Sequence, residues 1–294
     1  MKAKKTGKKG KEKLIWVPAV LFFLLGAGIF LYPFISNFFA EKQQAKAIRT
    51  YDEKVKKYSE EEIKEQWELA ETYNENLTGD PVHDPFIVGS GYAIPDNYNE
   101  VLNMDDGVMC SLEIPKIDLN LPVYHGTSEE VLRKGVGHLE TTALPIGGEN
   151  RRCVLTGHRG LPSAELFTRL DEMEIGDYFY IHILDQTLAY QVNDIQTVEP
   201  EELQNIDVAP KGQDLVTLIT CTPYGVNTHR LLVTGERTDH IPEPKEEKVS
   251  LTTRLMPWRY YIAGGAAALG IIAAVMITMK ILRYRKYGKK RKKK

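Results

Sequence analysis

Cysteine is the scarcest chemistry in this chain of 294 residues: there are three, at positions 110, 153 and 221. So small and odd a number argues against a disulfide framework, and stability has to come from a packed core. Charge is missing from two long stretches. Residues 14–39 are apolar and rich in Leu, Phe and Ile, and residues 260–279 carry no charge at all. Each is long enough to cross a hydrocarbon layer ~30 Å thick, which takes about 20 helical residues. Acids are absent from 280–294, where ten Lys/Arg stand, and residues 1–13 hold seven lysines against one acid. No EF-hand spacing and no phosphate-binding loop is present. Nucleotide chemistry is therefore excluded, and no metal or other cofactor is expected.

The formal charge of −2 conceals a strong asymmetry. With the tails set aside, 21 bases face 39 acids, about −18 for the middle of the chain. Lysine and arginine beside a span favour the cytoplasmic side, so both tails are expected inside and the acidic middle outside. Trp16, Tyr32, Trp258 and Tyr260 stand where interfacial aromatics lie. A cleaved signal peptide is the competing reading of the first span. Its apolar region would run only about 7–15 residues, and Ser36-Asn37-Phe38 matches a cleavage site poorly. The expectation is a cytoplasmic tail at 1–13, an uncleaved transmembrane anchor at 14–39, a second transmembrane helix at 258–282 and a cytoplasmic tail at 283–294. Beside such spans the basic tails read as topology signals, so the partner is the lipid bilayer, not nucleic acid.

Between the spans, Ile48, Tyr51, Val55 and Tyr58, then Ile63, Trp67, Ala70 and Tyr73, recur at helical spacing. Ser59-Glu60-Glu61-Glu62 fits a capping box that would start a second helix. Residues 40–78 are read as a helical stalk with a solvated acidic face. A loop follows, broken by Gly79, Pro81, Gly89, Gly91 and Pro95. From Val108 onward come short strand-like runs at 108–114, 119–124, 152–156, 178–183, 188–198, 215–220 and 230–236, with helical pieces only at 128–134 and around 164–170. Many short strands with few helices mean a closed β-barrel or a sandwich over 106–238, with enough Leu, Ile and Val for one core. Residues 239–257, with Pro242 and Pro244, form an extended linker.

Two strand ends carry reactive residues. In Thr217-Leu218-Ile219-Thr220-Cys221 an apolar run ends on a thiol, turns through Pro223 and Gly225, and re-enters a strand at Arg230. Antiparallel strands joined this way put Cys221 and Arg230 side by side at one rim of the sheet. A cation favours the thiolate, the nucleophilic form. In Val154-Leu155-Thr156-Gly157-His158-Arg159-Gly160 a strand runs into a turn that carries His158. Of the seven histidines, His182 is read as packed in its strand and His125 and His138 as turn stabilisers. His229, next to Arg230, should point to the other face, and His158, at the exit of a strand, stands ahead of the other histidines as the reactive one. Cys110 and Cys153 sit in apolar runs and read as buried hydrophobes, with a bridge between them as the alternative.

Leu218-Ile219-Thr220-Cys221 with Arg230 nine positions on, together with Thr156-Gly157-His158, resembles the signature of the sortases. These are Gram-positive surface transpeptidases built on a β-barrel. The resemblance covers roughly 80–238 and takes in Ile114-Pro115-Lys116-Ile117 and Gly135-Val136-Gly137-His138. The second span, and Asp84-Pro85-Phe86 in the loop 79–105, resemble the class C, pilin-polymerising branch, in which such a loop forms a lid. The resemblance implies that Cys221 attacks the carbonyl after threonine in an LPXTG-like sorting signal and forms a thioester. His158 then serves as general acid and base, and Arg230 stabilises the oxyanion and holds substrate. The partners it implies are pilin subunits with C-terminal sorting signals and an acceptor lysine of another pilin. Asp84 and Phe86 would cover Arg230 and Cys221. Anchoring to peptidoglycan amines, and an inactive assembly scaffold, are the competing functions. Physical chemistry agrees with these roles. Model-peptide values of ~8.5 for cysteine and ~6.5 for histidine leave about one pair in a hundred as thiolate–imidazolium. Arginine stays charged, so its role is electrostatic.

Overall fold

The computed structural model describes residues 9–77, 97–104, 106–205, 211–240 and 265, with side-chain surroundings from residue 21 onward. Asp84, Phe86, the linker from 241 onward and, Gly265 apart, the expected second span lie outside the described residues. One compact unit spans Tyr32–Glu247. It contains eight strands: β1 (Val108–Ile114), β2 (Leu119–His125), β3 (Val136–His138), β4 (Arg151–Thr156), β5 (Tyr178–Ile183), β6 (Gln186–Val198), β7 (Asp214–Thr222) and β8 (His229–Arg237). They close into a barrel in the order β1-β2-β3-β4-β7-β8-β6-β5. Closure removes the unpaired edges that an open sheet of this size would expose.

Seven of the strands fall on the strand-like runs expected from the sequence. β5 alternates cleanly: Phe179, Ile181 and Ile183 are fully buried, while Tyr178, Tyr180 and His182 face outward. His182 is therefore not packed in the core as its strand position suggested. Its Nε2 lies 2.7 Å from Glu113 Oε2 on the neighbouring β1. The eighth strand, β3, is only three residues long and contains a glycine, too short for periodicity to register. It pairs parallel with β2 and antiparallel with β4.

β7 does not alternate, for every residue from Leu215 to Cys221 is buried. A strand covered on both faces reads as a continuous apolar run. Val216 and Leu218 enter the main core inside the barrel. Ile219 instead joins Val154 and Leu232 in a separate cluster on the outer face, capped by Leu139 and by Leu203 from the 3-10 turn Pro200–Asn205. A third small cluster gathers Tyr51, Met104, Val108 and Tyr124. The expected single core is thus one main core with two satellites.

Helix α1 (Lys9–Val55) is, over Leu21–Val55, long and apolar enough to cross a membrane. Helix α2 (Glu60–Glu75) starts at Ser59, whose hydroxyl accepts from Glu62 N–H while Glu62 accepts from Ser59 N–H. Both helices touch the barrel through specific bonds. Tyr51 Oη accepts from Leu184 N–H at 2.8 Å, Arg151 grips Glu71 with two nitrogens at 2.6 and 2.7 Å, and Asn74 bonds the backbone of Leu144. A short helix, α3 (Glu129–Lys134), leads into β3, with Ser128 as its N-cap.

His138 and Tyr98 join the strand β3 to the segment 97–104. His138 is fully buried; its Nε2–H donates to Ala143 O and its Nδ1 accepts from Tyr98 Oη, both at 2.9 Å. Burial lowers its pKa to about 4. An unfolded histidine binds its proton near ~6.5, so acid favours the unfolded chain. The His138 contribution is complete above that value and is lost as pH falls toward 4. An NMR titration of the folded protein should find the His138 imidazole neutral until near pH 4. A midpoint near ~6.5 would show that this histidine is not held neutral by burial.

Candidate active site

β7 and β8 pair antiparallel with Ile219 opposite Leu232, Cys221 opposite Arg230 and Thr222 opposite His229. Directly opposed residues project to the same face. Strand alternation then places Cys221 and Arg230 on the outward face that carries Ile219 and Leu232, one step beyond the small outer cluster. The thiol and the guanidinium are therefore beside each other in register, on the flank of the barrel. Cys221 is 8% exposed and Arg230 6%. The sequence suggested a cysteine presented among polar loop residues, but β7 continues to Thr222 and the thiol is largely covered. Arg230 Nη1 donates to the carbonyls of Asn227 and His229, each at 3.1 Å. These two backbone acceptors fix the orientation of the guanidinium.

His158 arrives on the other flank of β7. β4 runs parallel to β7 with Thr156 opposite Ile219. The ladder continues past the strand end, for Gly157 N–H donates to Ile219 O at 3.2 Å and Thr220 Oγ1 donates to Gly157 O at 2.7 Å. Two steps beyond Thr156 and two beyond Ile219 bring His158 level with Cys221. A Cβ at Gly157 would stand 3.0 Å from the Phe167 ring, so any larger residue here needs that ring to shift. Phe167 N–H in turn donates to His158 O at 3.0 Å, which closes the turn.

Two neighbours of these residues were not singled out in the sequence. Glu129, in the first turn of α3, places Oε2 3.3 Å from His158 Nε2. Arg133 bonds the same carboxyl at 2.7 Å and is the main reason its pKa is held below the usual carboxylate range. A carboxylate can only accept, so Nε2 carries the proton and Nδ1 is the basic nitrogen of the neutral ring. Sequence could not supply this contact, since nothing local ties α3 to the turn after β4. Arg159, visible in the histidine motif but given no role, donates from Nη1 to Thr222 Oγ1 at 2.8 Å and pairs with Asp171 at 2.5 Å. Its side chain is 7% exposed. The residue after His158 is thus bonded to the residue after Cys221, a strut between the two reactive positions.

The remaining candidates are placed elsewhere. Cys110 and Cys153 are free and buried in the main core, where burial pushes both thiols well above their ordinary range. No bridge joins them. His125 has a carbonyl at each ring nitrogen, Gly107 O at 3.0 Å and Val101 O at 2.8 Å, so it braces the segment before β1. His229 bonds Thr228.

Comparison with known proteins agrees with this geometry. Residues 112–238 match the sortase domain family. Sortase D of Bacillus subtilis is 33% identical over 129 residues, which are 43% of this chain and 62% of that protein. The match therefore spans less than two thirds of that curated relative's length. Among solved structures, a sortase C of Streptococcus pneumoniae, described in terms of catalysis and pilin substrate specificity, is 45% identical with a TM-score of 0.61. The match covers 67% of this chain and all of that one. Sortase C-1 of Actinomyces oris is 48% identical with a TM-score of 0.57, covering 61% of this chain and 99% of that one. With a relative at this identity matched over its whole length, and with the strand ends above lying inside the matched domain, the chain belongs to the sortase family of cysteine transpeptidases.

Proposed function

We propose that this protein is a pilin-polymerising transpeptidase of the class C type. The observation that carries the reading is the register of Cys221 against Arg230 on β7 and β8, with His158 brought level from β4. The thiolate of Cys221 attacks the carbonyl carbon after threonine in an LPXTG-like sorting signal. The carbonyl oxygen becomes an oxyanion, which the Arg230 guanidinium stabilises. His158 as imidazolium gives its proton to the departing amine, and the C–N bond breaks to leave a thioester on Cys221. A lysine amine of a second pilin then attacks the thioester while His158 takes its proton. The products are an isopeptide bond and the regenerated thiol. Glu129 orients the imidazole so that Nδ1 performs these transfers, and the Arg159–Thr222 bond sets the spacing of the two reactive residues. The class C relatives at 45–48% identity support a pilin substrate.

The decisive experiment incubates the full-length protein with a pilin that carries both a sorting signal and an acceptor lysine. A covalent ladder on a denaturing gel is expected from the native protein and none from Cys221→Ala. Cleavage without a ladder, with product found instead on peptidoglycan amines, would replace polymerisation by wall anchoring. Arg230→Ala should lower kcat by about 10²–10³-fold, the usual cost of an oxyanion donor. A fall below ten-fold would remove Arg230 from that role.

The strut is tested separately. Thr222→Val keeps shape and removes the acceptor of Arg159. It should lower kcat several-fold while KM and the thermal midpoint stay close to native. A double-mutant cycle of Thr222→Val with Arg159→Lys should give a coupling of about 1 kcal/mol in transition-state free energy. Additive losses would mean that the bond does not position the site.

A further inference from the structure

One segment cradles the turn that carries His158. From the 3-10 segment Leu166–Glu172, Phe167 N–H donates to His158 O at 3.0 Å, Thr168 Oγ1 accepts from Gly160 N–H at 3.1 Å, and Asp171 pairs with Arg159. Residues 158, 159 and 160 are therefore each held by the same segment. That segment begins poorly. Leu166 has a φ of 43°, in the left-handed region that disfavours a bulky side chain, and Phe167 leaves helical geometry. The N-cap residue, Glu165, makes no side-chain cap bond. Such a backbone persists only where its surroundings over-determine it. A restraint arrives from α1, for Glu165 N–H donates to Asn37 Oδ1 at 2.8 Å. Asn37 Nδ2 donates to Glu41 Oε1 at 2.7 Å, so both contacts demand the same orientation of the amide.

The same face of α1 reaches the other support of the imidazole. Gln44 is buried and donates from Nε2 to Lys134 O at 3.1 Å. Lys134 is the last residue of α3, where helix carbonyls lack intrahelical donors. α3 carries Glu129, whose carboxylate meets His158 Nε2. Pro33 is buried and Ala40 packs on the main core, so residues 33, 37, 40 and 44 form one docked face at helical spacing. All of them belong to the same compact unit as the barrel. The two supports arise at different points in the chain: α3 precedes β3, and the 3-10 segment follows β4. Through α1 both are tied to one rod, on which Asn37 and Gln44 stand about 10 Å apart along the axis. The contact between the supports is sensitive. Glu129 Oε2 and His158 Nε2 are 3.3 Å apart, longer than the roughly 2.7–2.9 Å of a tight charge-assisted bond. A further ~0.5 Å would take the pair out of bonding range.

We infer that Asn37 and Gln44 are positioning residues for the transpeptidation, and that α1 is a splint fixing the turn of His158 against the helix of Glu129. Asn37 acts on the His158 backbone through Glu165 and the 3-10 segment. Gln44 acts on the ring through α3 and Glu129. This rests on the transpeptidase reading and extends its apparatus to a helix outside the barrel. The two positions need opposite chemistry, an acceptor at 37 and a donor at 44. A helix docked only by apolar contact would need neither.

Cleavage of a soluble sorting peptide by the full-length protein in detergent micelles tests the inference. Asn37→Ala should lower kcat about ten-fold, with KM and the thermal midpoint close to native. Asn37→Asp/Glu41→Gln reverses donor and acceptor within that pair but keeps an oxygen for Glu165 N–H. It should recover kcat to within about two-fold of native. Gln44→Ala and Gln44→Glu should both lower kcat about five-fold, because neither donates to Lys134 O at neutral pH. In a Glu129→Ala background Gln44→Ala should have no further effect, whereas Asn37→Ala should keep its own. A second readout needs no activity. In imidazole 15N spectra, His158 should be a single Nε2–H tautomer in the native protein and a mixture of tautomers in Gln44→Ala. Three results would each overturn the inference: unchanged kcat in Asn37→Ala and Gln44→Ala, no recovery in Asn37→Asp/Glu41→Gln, or a single tautomer in Gln44→Ala. If the native protein cut no sorting peptide, the transpeptidase reading would fall, and the spectra would still decide whether α1 sets the imidazole.

Discussion

The registration of β7 between a parallel neighbour and an antiparallel one is the constraint from which the rest of this molecule follows. Its hydrogen bonds to β8 set Cys221 against Arg230, and its hydrogen bonds to β4 bring the chain after Thr156 level with the same thiol. Because side chains alternate, a slip of one residue along β7 would carry Cys221 to the barrel interior and Leu218 and Val216 to the flank. Burial on both faces makes that slip costly, since Ile219 would leave one cluster and Leu218 the other. The apolar residues that stabilise the barrel are therefore also the ones that aim the thiol.

That arrangement explains which parts of the site could be read in the sequence. Cys221 and Arg230 lie on one hairpin, nine positions apart around a Pro/Gly turn, and antiparallel geometry alone brings them together. His158 is 63 positions from Cys221, and its approach depends on a parallel pairing that local patterns do not encode. Only the resemblance to a known family joined them. Most of the strands were legible because β-branched and aromatic runs ended at turn residues. β3 was not, because three residues are too few for alternation to stand out. The unbroken apolar run of β7 was visible, but its meaning, a second buried face, depended on Leu203 arriving from a distant 3-10 turn. Glu129 was hidden for the same reason as β3: its partner is chosen by the fold, not by spacing.

The electrostatics divide in a related way. The described acidic groups nearest the reactive residues are tied to cations of their own, Glu129 to Arg133 and Asp171 to Arg159. Arg230 Nη1 is positioned by the backbone carbonyls of Asn227 and His229, which hold its geometry. Fixed dipoles and charges of this kind need little reorganisation when negative charge develops.

The three cysteines acquire a further meaning from where they sit. Two are sealed in the core with their thiols pushed far toward the protonated form, and the third lies on the flank of the barrel, largely covered but 8% exposed. In an oxidising compartment, oxidants are plentiful and reducing partners few. With no second thiol within reach of the folded surface among the described residues, an oxidised Cys221 cannot be trapped in an internal crosslink. Among the cysteines, oxidation then falls on Cys221, and an external thiol that reaches a sulfenic acid there restores it without unfolding the barrel.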